Sequence, residues 1–93
     1  MKNVVFKALA DPTRRRILEL LKSGPKGSGE IAEAFPSSWP TISRHLSLLR
    51  DAGLIRATRE GQHIRYELDT SVVQDLVQHL LGWAGKGGGR RVP

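Results

Sequence analysis

The sequence contains no cysteine. That single absence excludes disulfides, thiolate metal sites and cysteine nucleophiles together. No apolar run approaches the roughly 20 residues that span a bilayer. The opening residues, MKNVVFKALADP, meet an acid and a proline too early for a secretory signal. A soluble, cytoplasmic protein with no membrane association is therefore expected. No nucleophile–base pair, paired-carboxylate site or phosphate-cradling glycine loop is apparent, which argues against an enzyme. Gly87, Gly88 and Gly89 lie in the tail, with no strand or helix predicted to frame them. Ninety-three residues make one domain with a small core, one that a second subunit would help to stabilise.

The chain carries a net charge of +6, but Lys86, Arg90 and Arg91 in the tail GKGGGRRVP supply half of it. Bulk charge is therefore a weak argument for a nucleic-acid partner. Its distribution says more. Between Ala34 and Tyr66 stand five arginines against only Asp51 and Glu60.

Punctuation divides the chain into short elements. Val4, Val5, Phe6 and Leu9 read as an N-terminal helix. Asp11 followed by Pro12 reads as a cap and first residue of a second helix, with Ile17, Leu18, Leu20 and Leu21 on one side. Ser23-Gly24-Pro25 ends it. Ser28 is the expected cap of a short third helix over Glu30–Phe35, followed by the turn Pro36-Ser37-Ser38. A fourth helix is expected from Ser38, its natural cap, to Ala52, and Gly53 closes it in a left-handed conformation. Ile42, Leu46 and Leu49 form its core stripe, whereas Pro40, Arg44 and Ser47 point nearly opposite with Thr41 and Ser43 on the flanks. Leu48 fits neither side and is expected to touch a neighbouring element. Leu54–Thr58 and Gln62–Leu68 read as two strands around Arg59-Glu60-Gly61, with His63, Arg65 and Glu67 on a polar face. Ser71 is expected to cap a last helix through about Trp83. Its apolar residues cover roughly half its circumference, more than one small core needs.

A short helix, a tight turn and a second helix with a polar outer face is the helix-turn-helix plan. The expected fold is mainly α with a β-hairpin wing (an α+β winged helix-turn-helix), with five helices and a two-stranded hairpin. Residues 1–84 form the domain and 85–93 a flexible basic tail. The second helix of the motif enters the major groove with its N-terminal residues nearest the bases. Those residues are Ser38, Trp39, Pro40, Thr41, Ser43 and Arg44. Arg44 can engage guanine through two hydrogen bonds. Arg59, His63 and Arg65 suit phosphate or minor-groove contacts beside it. The expected partner is double-stranded DNA, held largely through phosphates.

Three runs carry a family resemblance: ALADPTRRRILELL (8–21), SRHLSLLRDAGLI (43–55) and REGQHIRYEL (59–68). Together they resemble the ArsR-type winged-helix regulators over about residues 3–83. The resemblance implies a homodimer joined through the first and last helices, binding a palindromic operator and repressing transcription. Val5, Phe6, Leu9, Val73, Leu76, Val77, Leu80 and Trp83 are the implied interface. Many members sense metals. One site type places two cysteines in the third helix, where this chain has glycines within Pro25–Ile31. The other lies on the last helix, which here offers only Asp75 and His79. Zinc normally takes three or four protein ligands, so no metal and no other cofactor is expected. The chain is more similar to metal-independent members that regulate their own operons.

Several residues admit a plainer role. Arg14, Arg15 and Arg16 spread over an arc of about 200°, so they cannot all face DNA; ion pairs or solvated charge are expected. For His45, a packed ring hydrogen-bonded near the turn competes with a phosphate contact. Trp39 either meets a thymine methyl or the DNA backbone, or covers the turn. Two alternatives to an operator-specific repressor are a metal-responsive repressor using Asp75 and His79, and a winged-helix module that docks a protein.

Overall fold

The computed structural model describes residues 3–87. The element order is α1 (Asn3–Ala10), α2 (Pro12–Leu21), β1 (Lys26–Gly27), α3 (Ser28–Glu33), α4 (Trp39–Asp51), β2 (Ile55–Glu60), β3 (His63–Leu68) and α5 (Thr70–Gly87). This is a winged helix-turn-helix with all five expected helices.

Helices α1, α2 and α4 pack on one another, and α2 and α4 also pack on the sheet. Ile17, Ile31, Ile42, Leu46, Leu49, Leu54 and Ile55 are buried to 2% exposure or less at their centre. No polar or charged residue is buried among the described residues. The stripe Ile42, Leu46 and Leu49 faces this core as its spacing requires, and so fixes which side of α4 faces outward. Asp11 caps α2 as expected, accepting from the Arg14 backbone N–H at 3.1 Å. Gly53 is left-handed (φ +79°) at the end of α4. A Cβ there would stand 2.9 Å from Val72 Cγ2, so the position is closed by packing as well as by conformation.

Other details depart from expectation. The sheet has three strands in the order β1-β3-β2, all antiparallel, rather than two. Lys26 pairs with Tyr66 and Gly27 with Arg65, which seats the start of α3 against the wing. A strand of two residues has no periodicity to read, which is why the sequence concealed it. The hairpin turn is Gly61-Gln62 rather than Arg59-Glu60-Gly61. Glu60 pairs with His63 and Gly61 has φ +62°, the two-residue geometry that matches the strands' twist. Gly27, not Ser28, precedes α3; its N–H donates to Glu30 Oε1 at 3.0 Å, while Ser28 Oγ donates to the Ile64 carbonyl at 3.4 Å. Ser38 does precede α4, yet its hydroxyl lies 3.1 Å from Thr41 Oγ1 and caps no backbone N–H. Asp69, not Ser71, serves the start of α5, accepting from the Ser71 N–H at 3.1 Å. That bond holds the Asp69 carboxyl below its ordinary pKa.

Helix α5 does not stop near Trp83 but continues to Gly87. It meets the core through Val72 and Leu76. Val73, Val77, Leu80, Leu81 and Trp83 are left exposed. The basic tail beyond Gly87 lies outside the described residues.

Candidate DNA-binding surface

The surface is built on the start of α4. Ser38, Trp39 and Pro40 are exposed, Thr41 and Ser43 are half-buried on the flanks, and Arg44 is exposed. The predicted reading residues are thus brought together on one outward face. Trp39 keeps 40% of its surface in solvent, so covering the turn does not bury it.

His45 is placed differently. Its side chain is 17% exposed and faces the junction of α1 and α2. Arg14 Nη1 lies 3.1 Å from His45 Nδ1, and Asp11 Oδ2 lies 4.0 Å from the same nitrogen. Arginine can only donate, so this contact is a hydrogen bond when Nδ1 is the unprotonated ring nitrogen and the ring N–H is on Nε2. The same guanidinium donates through Nε to the Ala8 carbonyl at 2.8 Å and through Nη2 to the Lys7 carbonyl at 3.0 Å. Arg15 donates to the Leu9 carbonyl at 2.8 Å. The last carbonyls of α1, which lack partners within the helix, are thereby satisfied by two cations of α2. The Arg14 backbone N–H, and then the charges of the His45 ring and the Arg14 guanidinium beside it, hold the Asp11 carboxyl below its ordinary pKa. The packed role is the one this geometry displays for His45, and Arg14 and Arg15 are engaged by carbonyls rather than by acids. Sequence reasoning missed this junction because Arg14 and His45 lie 31 positions apart with no periodic relation.

In the wing, register separates residues that the sequence grouped. Directly paired residues share a face. Thr58–Arg65, Glu60–His63 and Arg56–Glu67 therefore lie on one face, while Arg59 pairs with Ile64 and lies on the other. Arg59, His63 and Arg65 are all exposed, but they do not form one cluster. Arg65 and Glu60 lie 3.5 Å apart, as do Arg56 and Glu67. Among the described residues Arg59 pairs with no carboxylate; its Nε donates to the Gly61 carbonyl at 3.3 Å. The turn at Gly61-Gln62 would have revealed this split from sequence, since it sets Glu60 opposite His63.

Residues 11–57 match the family described as bacterial regulatory protein, arsR family. The chain belongs to the ArsR family. It is 51% identical over 85 residues to the transcriptional repressor SdpR of Bacillus subtilis, covering 91% of this chain and 94% of that protein. It is also 43% identical to a probable mercury resistance operon repressor of Streptomyces lividans, covering 77% of this chain but 58% of that protein's length. A crystal structure of an ArsR family transcriptional regulator, RHA00566, superposes with a TM-score of 0.87 at 30% identity, covering 96% and 92% of the two chains. This ArsR-family chain is a DNA-binding transcriptional regulator of the repressor type, not an enzyme.

The remaining predicted residues divide between core and surface. Val5 is 4% exposed and is committed to the subunit's own core, which corrects its assignment to an interface. Leu9 and Leu76 are half-buried against that core, whereas Phe6 is 38% exposed. Leu48 is also exposed and lines a groove of about 330 Å³ with Val4, Lys7, Ala8 and Arg14. Asp75 lines a second groove beside Gly53 and Val72, and the His79 ring lies edge-on to Trp83 at 4.8 Å. No group of three His, Asp or Glu side chains able to hold a metal occurs among the described residues. No helix among them is long and apolar enough to cross a membrane.

Proposed function

We propose that this ArsR-family protein is an operator-specific repressor that acts as a homodimer. Each subunit sets the start of α4 into the major groove, and Arg59 carries the wing's contact with phosphate or the minor groove. The observation that carries the reading is the division of α4. A fully buried stripe at Ile42, Leu46 and Leu49 mounts an exposed Trp39, Pro40 and Arg44. Arg44 is the base-reading residue and Thr41 and Ser43 are its short hydroxyl flanks. The twofold axis runs beside the exposed apolar residues of α5, with Phe6 at the margin. Two recognition helices so related read half-sites about 34 Å apart, or a multiple of that. The operator is DNA upstream of the protein's own gene. With no cysteine in the chain, its inducing signal is not a thiolate-bound metal.

Fluorescence anisotropy on upstream DNA and on random DNA, at several salt concentrations, tests the proposal. Tighter binding to the upstream fragment is expected, with Arg44→Ala losing about 1–3 kcal/mol of that preference. Equal affinity for both DNAs at every salt concentration would overturn it.

A further inference from the structure

The Arg14–His45 contact joins two parts of the molecule that the proposed function keeps separate. On one side stand the last carbonyls of α1, at Lys7 and Ala8, gathered by one guanidinium. On the other stands α4, one residue beyond Arg44. Asp11 completes the junction by capping α2 through the Arg14 N–H while lying 4.0 Å from the His45 ring. We infer that His45 is a positioning residue: through Nδ1 it holds Arg14 and so fixes the rotation of the recognition helix on the α1–α2 junction, contributing to DNA binding without touching DNA.

The core stripe sets which side of α4 faces outward, but apolar contact is non-directional and leaves the fine rotation to polar contacts at its edge. A hydrogen bond to a charged donor is directional and strong for its size. His45 follows Arg44 directly, so a small rotation about the helix axis displaces Arg44 and Thr41 with it. Arg14 cannot follow such a rotation without surrendering the carbonyls of Lys7 and Ala8. The largely buried ring, at 17% exposure, is also poorly placed to reach a phosphate.

The inference rests on the proposed function for its DNA readout, so its test includes one measurement without DNA. His45→Asn places Oδ1 at the same bond separation from Cβ as Nδ1 and keeps the acceptor; His45→Ala removes it. His45→Ala is expected to bind the upstream fragment about tenfold more weakly, the scale of one misplaced base contact. Its salt dependence should be unchanged, and His45→Asn should recover most of the loss. Helix propensity alone predicts the opposite order, because alanine is the better helix former. A loss accompanied by a salt slope shallower by about one would make His45 a phosphate contact and overturn the inference. Equal binding by wild type and His45→Ala would overturn it too. In the DNA-free protein, long-range proton–nitrogen spectra at about pH 8 should show Nε2 carrying the proton. A proton on Nδ1 refutes the junction whatever the DNA result. If the wild type fails to discriminate its upstream DNA, the repressor proposal falls, and the tautomer still decides the role of His45.

Discussion

Replacing Leu80 by glutamate strikes the middle of the exposed face of α5. Leu80 is 44% exposed, with Val77 at 46%, Leu81 at 56% and Trp83 at 63% around it. Burying a whole leucine is worth about 1.5–3 kcal/mol, so covering the exposed part contributes roughly 1 kcal/mol per subunit. Twofold symmetry repeats the loss, giving roughly 2 kcal/mol in the dimer. A carboxylate that must be desolvated in the same place costs several kcal/mol more per subunit. The dimer dissociation constant should therefore rise by at least about a thousandfold. The subunit itself should remain folded, because Leu80 lies outside the core and glutamate is nearly as good a helix former as leucine. Sedimentation velocity at micromolar concentration should show the wild type as a dimer and Leu80→Glu as a monomer, with the helical circular dichroism of the two alike. A wild type that is monomeric at tens of micromolar, or a variant that stays dimeric, refutes the reasoning.

Other expectations follow from single residues. Gly53→Ala forces a left-handed alanine, costing about 1–2 kcal/mol before the 2.9 Å approach to Val72 is counted. A drop in melting temperature of about 5 °C or more is expected by calorimetry, and an unchanged one would deny the close packing of α5 on α4. Arg59→Ala should make the salt slope of DNA binding shallower by about one. Glu60→Gln should strengthen binding several-fold by releasing Arg65, and no change would turn the polar face of the wing away from DNA. Asp11→Ala should cost about 1 kcal/mol by loss of the cap. Because the folded Asp11 pKa lies below its ordinary 3.8, its contribution is present above that value and is lost as pH falls through the folded one. Acid titration of wild type and variant should thus converge at low pH, and curves that stay parallel would contradict the assignment.

The parts of this fold that repeat or punctuate were legible in the chain. Ile42, Leu46 and Leu49 declared the inner side of α4 through spacing alone, and Asp11-Pro12 and Gly53 marked boundaries by chemistry that few residues can replace. What escaped was set by partners distant in sequence. Lys26–Gly27 became a strand only because Tyr66 and Arg65 lay beside it. Asp69 outcompeted Ser71 at the start of α5, a choice between two capable neighbours that propensity does not decide. The last helix also outran its apolar pattern, since Ala84 and the glycines that follow cannot pack and so leave no periodic trace. For the site, the outward residues of α4 were readable, whereas Val5 was assigned to an interface, the role of His45 was left open between packing and phosphate, and Arg59 was grouped with His63 and Arg65 across the sheet. In each case the deciding fact is which way a side chain faces across an element contact, and composition carries no such information.

Charge makes the same point about function. The net charge of +6 suggests a broadly basic protein, yet many of its cations are engaged within the chain. Arg14 and Arg15 satisfy the carbonyls of α1, Lys22 meets Glu19 at 3.1 Å, and Arg56 and Arg65 face Glu67 and Glu60 across the wing. Exposed pairs of this kind add little stability. Their effect is to place a carboxylate beside Arg56 and Arg65, where it opposes an approaching phosphate. Arg44 and Arg59 have no such neighbour among the described ion pairs, and they sit on the recognition helix and at the wing tip. Affinity built on so few unopposed cations should depend only modestly on salt. Discrimination then falls to the placement of α4, which is what the junction at Asp11, Arg14 and His45 controls.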